Sequence, residues 1–189
     1  MQNDQVLVLE NFYEDLNWLK DDRIVRWRKQ TTPEETFHLN PSHRYKLLEK
    51  VSALFPKTFY PTDSGWIRSN FTSEEKPMAT SLHSDAPYLV LSVCLSSPEK
   101  EDHSYGTTFC RHHEFGFTKI DSPVSRKIFQ AHREEDQKWI PYLKTPFKRN
   151  TAIVYNGALF HKMPWPVFGT SLEDSRLIQI FNFRVKEFS

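Results

Sequence analysis

Val6-Leu7-Val8-Leu9 is a short apolar run halted by Glu10-Asn11, which predicts an opening strand, and Leu16 and Leu19 predict a helix behind it. After Pro41-Ser42 the apolar positions Tyr45, Leu47, Leu48, Val51, Leu54 and Phe55 recur at helical spacing. Ser42 is placed to cap this run and Pro56 to stop it, so a helix packed on a sheet is expected there. From Gly65 onward the texture changes to short apolar runs broken by turn residues. These predict strands over 66–70, 88–95, 107–111, 151–155 and 177–185. One helix interrupts them, opening at Ser122-Pro123 and carrying Val124, Ile128 and Phe129. Helices therefore come first and a β-rich half follows, with the strand spacing of a sandwich or barrel.

A chain of 189 residues buries about 70% of the surface it exposes when unfolded, enough for one core. No Pro/Gly/Ser linker divides it, so a single domain over 1–189 is expected, with 1–62 as an N-terminal helical support region and 63–189 as the β core. Twenty-five Lys and Arg against 24 Asp and Glu leave a net charge of +1, which argues against nucleic acid or a membrane surface as partner. No stretch approaches the ~20 apolar residues of a bilayer crossing. Met1-Gln2-Asn3-Asp4-Gln5 lacks the basic and apolar regions of a signal peptide, so the expected compartment is the cytoplasm. Two cysteines, Cys94 and Cys110, exclude a disulfide framework. Oligomeric state is left open.

Chemistry is sought first among the eight histidines, because a chain with few thiols binds metal through imidazole and carboxylate. In His83-Ser84-Asp85, an extended backbone sends residues two apart to the same side, so a nitrogen and an oxygen can meet one ion. Composition alone produces such pairs by chance, and context must decide between this motif and its rivals. His132-Arg133-Glu134 falls at the polar end of the helix that carries Phe129, where residues two apart do not share a face. His112-His113-Glu114 follows a strand but lacks an evident third ligand. His83-Ser84-Asp85 instead precedes Tyr88-Leu89-Val90-Leu91-Ser92-Val93-Cys94-Leu95, apolar on both faces as a central strand is. Downstream, the strand Thr151-Ala152-Ile153-Val154-Tyr155 turns at Asn156-Gly157-Ala158 and delivers His161 at a strand edge.

Arg176 opens the most strand-like stretch, Arg176-Leu177-Ile178-Gln179-Ile180-Phe181-Asn182-Phe183-Arg184-Val185. It shares a face with Ile178 and Ile180, so its guanidinium emerges from an apolar wall and needs an anionic partner. A bidentate carboxylate of a ligand is one complement. A salt bridge to Glu173 or Asp174 is the other.

The order His83-x-Asp85, a long gap, His161 and then Arg176 fifteen positions on resembles the Fe(II)- and 2-oxoglutarate-dependent dioxygenases. Gly106-Thr107-Thr108-Phe109 is similar to the strand that often follows the HxD strand in that superfamily. Phe147-Lys148-Arg149-Asn150 through Tyr155, Asn156-Gly157-Ala158-Leu159-Phe160-His161, and Arg176-Leu177-Ile178-Gln179-Ile180-Phe181 resemble a little-characterised group of short members. The resemblance spans residues 66–185.

It implies an α+β, β-rich fold: a double-stranded β-helix, or jelly-roll, cupin-like barrel, with the N-terminal helices packed on one sheet. It implies His83, Asp85 and His161 as ligands to Fe(II), and Arg176 as the partner of the far carboxylate of 2-oxoglutarate, with O2 as the other cosubstrate. Oxidative decarboxylation to succinate and carbon dioxide would drive hydroxylation of a small molecule or of an amino-acid or peptidyl side chain. Halogenases of this kind replace the carboxylate ligand with a small residue, whereas Asp85 is present. Tyr88, Ser92, Thr108 and Tyr155 are further candidates to assist the cosubstrate. The segment Lys162-Met163-Pro164-Trp165-Pro166-Val167-Phe168-Gly169 is expected as a rim, with Trp165 and Phe168 either an apolar wall over the site or packing of a barrel edge, and loops at Asp63-Ser64-Gly65 and 72–78 as cover for the opposite edge. Two other classes compete: a cupin-like metal protein, isomerase or sensor, that does not use 2-oxoglutarate, and a non-enzymatic binding module without tight metal.

Overall fold

A computed structural model describes residues 5–20, 25–29, 35–39, 41–54, 59–70, 82–164, 168–169 and 174–185. In chain order the elements are β1 (Leu7–Leu9), β2 (Val25–Lys29), β3 (Glu35–Leu39), α1 (Pro41–Leu54), β4 (Phe59–Asn70), β5 (Leu89–Cys94), β6 (Thr108–His112), α2 (Pro123–His132), β7 (Trp139–Lys144), β8 (Ala152–Asn156), β9 (His161–Lys162) and β10 (Arg176–Val185). They build two open antiparallel sheets. The larger runs β1-β8-β5-β10-β4-β3-β2 and the smaller β7-β6-β9. No helix among the described residues is long and apolar enough to cross a membrane.

Alternation along the strands divides the apolar residues into layers. One face of the large sheet, with Leu89, Leu91, Val93, Ala152, Val154, Phe181 and Phe183, packs against Leu47 and Val51 of α1 and against Phe12. Its other face sends Val90, Ile153 and Tyr155 toward Phe109 of β6 and Leu159. The far side of the small sheet is closed by α2, whose Phe129 stacks on Phe160 at 4.9 Å and 7° beside Trp139, Cys110 and Leu82. Helix, sheet, sheet and helix thus succeed one another. β5 is buried along its whole length, as its doubly apolar pattern predicts.

Ser122 caps α2 by accepting from Ser125 N–H at 3.1 Å, while the Ser125 hydroxyl accepts from Ser122 N–H at 3.1 Å and Pro123 occupies the first turn. On α1, Leu47 and Val51 are one turn apart and buried, whereas Tyr45 is 63% exposed. Two residues before Leu47 lie about 200° around the helix, so Tyr45 leaves the predicted stripe.

Among the described residues of 1–62, α1 is accompanied by β1, β2, β3 and the start of β4. The helix expected at Leu16 and Leu19 is a single 3-10 turn, Asn17–Lys20. Ahead of it, Phe12 N–H donates to the Asn150 carbonyl and Tyr13 N–H to Asn150 Oδ1, so this backbone is committed to tertiary bonds and cannot wind further back. Asp63-Ser64-Gly65 lies inside β4 rather than in a loop. Phe181 faces Gly65 and Phe183 faces Pro61, so β4 bulges around these turn-forming residues without leaving the sheet. Residues 72–78 and Trp165 lie outside the described residues.

Candidate metal centre

The two segments that bear the histidines of interest are stitched together by main-chain bonds. His83 N–H donates to the His161 carbonyl at 2.9 Å and His161 N–H returns the bond at 3.0 Å. Two residues on, Asp85 N–H donates to the Gly157 carbonyl at 2.6 Å, and Gly157 N–H donates to the Tyr88 carbonyl at 2.7 Å. The Ser84 hydroxyl donates to the Gly157 carbonyl at 3.0 Å. A Cβ at position 157 would stand 2.7 Å from the carbonyl oxygens of both Asp85 and Tyr88, so only glycine lets the two segments approach this closely.

His83, Asp85 and His161 each offer one ligand atom, and these atoms all lie within 4.8 Å of one another. His161 is buried, whereas the Asp85 side chain is 31% exposed, which leaves a way in from solvent. Nδ1 of His161 lies 2.8 Å from the Leu159 carbonyl, which can only accept, so Nδ1 carries a proton. In the neutral ring Nε2 is then a lone pair. It lies 3.3 Å from Asp85 Oδ2 and 3.2 Å from the Tyr155 hydroxyl. A nitrogen lone pair facing a carboxylate oxygen is an arrangement that a cation between them stabilises, and two imidazoles with one carboxylate suit a divalent transition metal. The donor set therefore fits the ion. Burial, and after it the Asp85 carboxylate, raises Tyr155 well above the usual phenol range, so its hydroxyl stays protonated.

Arg176, at the start of β10, is also buried, 2% exposed. Its Nε donates to the Tyr105 carbonyl at 3.0 Å, its Nη1 meets Met163 Sδ at 3.3 Å, and its Cζ lies 5.2 Å from the centre of the Phe147 ring. Ile178 and Ile180 join the same cluster as Phe147 and Phe168, the apolar wall expected of this face. Phe168 is buried there, edge-on to Tyr105 at 4.7 Å, rather than forming an open rim. Among the other candidates, Tyr155 touches His161, Ser92 and Thr108 are buried in β5 and β6, and Tyr88 packs under Arg184. The sequence reading held Met163 only as part of the 162–169 rim segment and gave the Tyr105 carbonyl no place. The one signal for Met163 is its spacing, two residues beyond His161.

The two rival histidine motifs meet each other and not this centre: His112 Nε2 lies 2.8 Å from His132 Nδ1, linking β6 to the end of α2. His112 is fully buried and ringed by Trp139 and Phe115. Cys94 and Cys110 are both free and buried, and desolvation pushes each thiol up to about 11.

No family model matches the chain, and no curated protein matches its sequence. Solved structures do match in shape. The non-heme alpha-ketoglutarate-dependent epimerase SnoN from nogalamycin biosynthesis is 12% identical with a TM-score of 0.51, over 96% of this chain and 79% of SnoN. HygX from Streptomyces hygroscopicus, crystallised with nickel, 2-oxoglutarate and hygromycin B, is 13% identical with a TM-score of 0.54, over 96% of this chain and 83% of HygX. Nearly the whole chain is therefore built on the fold that these two proteins share.

Proposed function

We propose that the protein is an Fe(II)- and 2-oxoglutarate-dependent oxygenase, its two sheets the halves of a double-stranded β-helix, that hydroxylates an unactivated C–H bond of a small molecule or of an amino-acid or peptidyl side chain. The observation that carries this reading is the convergence of His83, Asp85 and His161 beside a buried arginine. HygX, of like fold, holds both nickel and 2-oxoglutarate, which supports a metal and this cosubstrate.

His83, Asp85 and His161 would hold the ion on one face, and two imidazoles with a single carboxylate leave coordination positions open, as ferrous oxygenases require and closed zinc sites do not. The bound iron supplies oxygen activation coupled to decarboxylation of 2-oxoglutarate to succinate and carbon dioxide. The protein's own part is positioning. Arg176 pairs with the far carboxylate, Leu159 fixes the tautomer of His161, and Phe109, Ile153 and Tyr155 keep water from the enclosed side. Asp85 supplies a carboxylate where a halogenase needs space for halide, which favours hydroxylation. Two free, buried thiols suit a reducing cytoplasm, and the +1 charge favours a small or peptidyl substrate over nucleic acid.

Succinate formation from 2-oxoglutarate by the iron-loaded wild type, His83→Ala and Arg176→Ala proteins tests the reading. The expected result is turnover in the wild type, none in His83→Ala, and a raised requirement for 2-oxoglutarate in Arg176→Ala. Unchanged turnover in His83→Ala overturns the metal assignment. An Arg176→Ala effect confined to thermal stability supports the cupin-like alternative without 2-oxoglutarate.

A further inference from the structure

Met163 stands two residues beyond His161, so in extended chain both side chains leave on the same side, into the space between the sheets. Both are buried. His161 turns Nε2 to Asp85, whereas Met163 sets Sδ against Arg176 Nη1 at 3.3 Å. One short stretch of backbone thus presents a candidate metal ligand and, two residues farther along, a contact on the guanidinium. Other supports of Arg176 come from elsewhere in the fold, among them the Tyr105 carbonyl on Nε and the Phe147 ring near Cζ. A thioether is a weak, uncharged acceptor, whereas a carboxylate binds a guanidinium far more strongly. A sulfur on a buried guanidinium is therefore a partner that steers without competing.

We propose that Met163 is a positioning residue that sets which length of 2-oxo dicarboxylic acid the site accepts. Its sulfur aims the Arg176 fork along the line from His161, and its side chain flanks the methylenes of the bound acid. The inference rests on the oxygenase reading above. On this proposal the five-carbon acid, chelated at the His161 end, is the length whose far carboxylate meets the guanidinium. The four-carbon homologue falls short, and the six-carbon homologue must buckle against the thioether.

The test is the dissociation constant of anaerobic, Fe(II)-loaded protein for oxaloacetate, 2-oxoglutarate and 2-oxoadipate, with Fe(II) affinity measured in parallel, for wild type, Met163→Leu and Met163→Ala. Met163→Leu keeps the volume and removes the acceptor, and is expected to weaken 2-oxoglutarate binding about five-fold, the effect of one modest hydrogen bond. Met163→Ala opens the wall and is expected to move the preference toward 2-oxoadipate by about ten-fold or more relative to 2-oxoglutarate. Fe(II) affinity is expected to be the same in all three. Constants and preference within two-fold of wild type in both folded variants overturn the role of Met163 and leave the oxygenase reading standing. A wild type that binds Fe(II) but none of the three acids overturns that reading, and this inference with it.

Discussion

His83 and His161 are joined through their main chains, each N–H donating to the other's carbonyl at 2.9 and 3.0 Å, with their rings 4.2 Å apart. The placement of these imidazoles thus depends on backbone bonds that survive truncation of a side chain. His83→Ala is expected to lower Fe(II) affinity by about a hundredfold or more, since the loss of a ligand exceeds the 10–100-fold effect of losing an outer support. The thermal midpoint of the metal-free protein is expected to shift by only about 1–3 °C. Anaerobic metal titration and thermal unfolding of one preparation check both.

Gly157 couples stability to the same centre. Gly157→Ala drives a Cβ into the carbonyls of Asp85 and Tyr88, and is expected to destabilise the fold by about 1–3 kcal/mol. Because Asp85 N–H bonds to Gly157, Fe(II) affinity should fall with it. Denaturant unfolding alongside metal titration separates this outcome from that of His83→Ala, which loses affinity alone.

Arg176 tests geometry against charge. Arg176→Lys keeps the charge but loses the planar fork, the Nε donation to Tyr105 and the approach to Met163. The expected outcome is an increase of about ten-fold or more in the KM for 2-oxoglutarate with a smaller change in kcat, measured by succinate release.

His112 gives a pH dependence remote from the metal centre. Burial first, then His132, lowers its pKa below 6.5, with Lys138 and His113 acting in the same direction and Glu114 opposing them. A histidine whose folded pKa is depressed binds fewer protons folded than unfolded. Its stabilising effect is therefore complete above about pH 6.5 and is lost as pH falls through the folded value. Thermal midpoints are expected to decline between about pH 7 and pH 5, and less steeply in His112→Gln. Equal slopes for the two proteins would contradict this account.

His83 and Asp85 were legible as a pair because they sit two apart in extended chain, whereas His161, far away in sequence, joined them only through the resemblance carried by the ordered set of motifs. β5, β8, β10, α1 and α2 were legible because their apolar periods are uninterrupted. β2, β3 and β7 were not. β2 reads Val-Arg-Trp-Arg-Lys, with polar residues on a sheet edge, and β7 carries Pro141, which an edge strand tolerates but which weakens the local signal. The bond between His112 and His132 depends on α2 folding back over the small sheet, a long-range event that no local pattern encodes. Between the two readings of Phe168, a wall over the site or packing of a barrel edge, its burial favours packing, since an aromatic side chain buries a large area wherever it falls.

α1 and α2 seal separate apolar clusters on the outward faces of the two sheets, away from the His83, Asp85 and His161 cluster. Much of the cohesion of the molecule is thus lodged outside the room where reactants would meet. Residues on the inner faces, the partly buried Ile180 among them, can change in size while both outer seals hold. A scaffold so divided allows natural variation to exchange one reactant for another without first surrendering the fold.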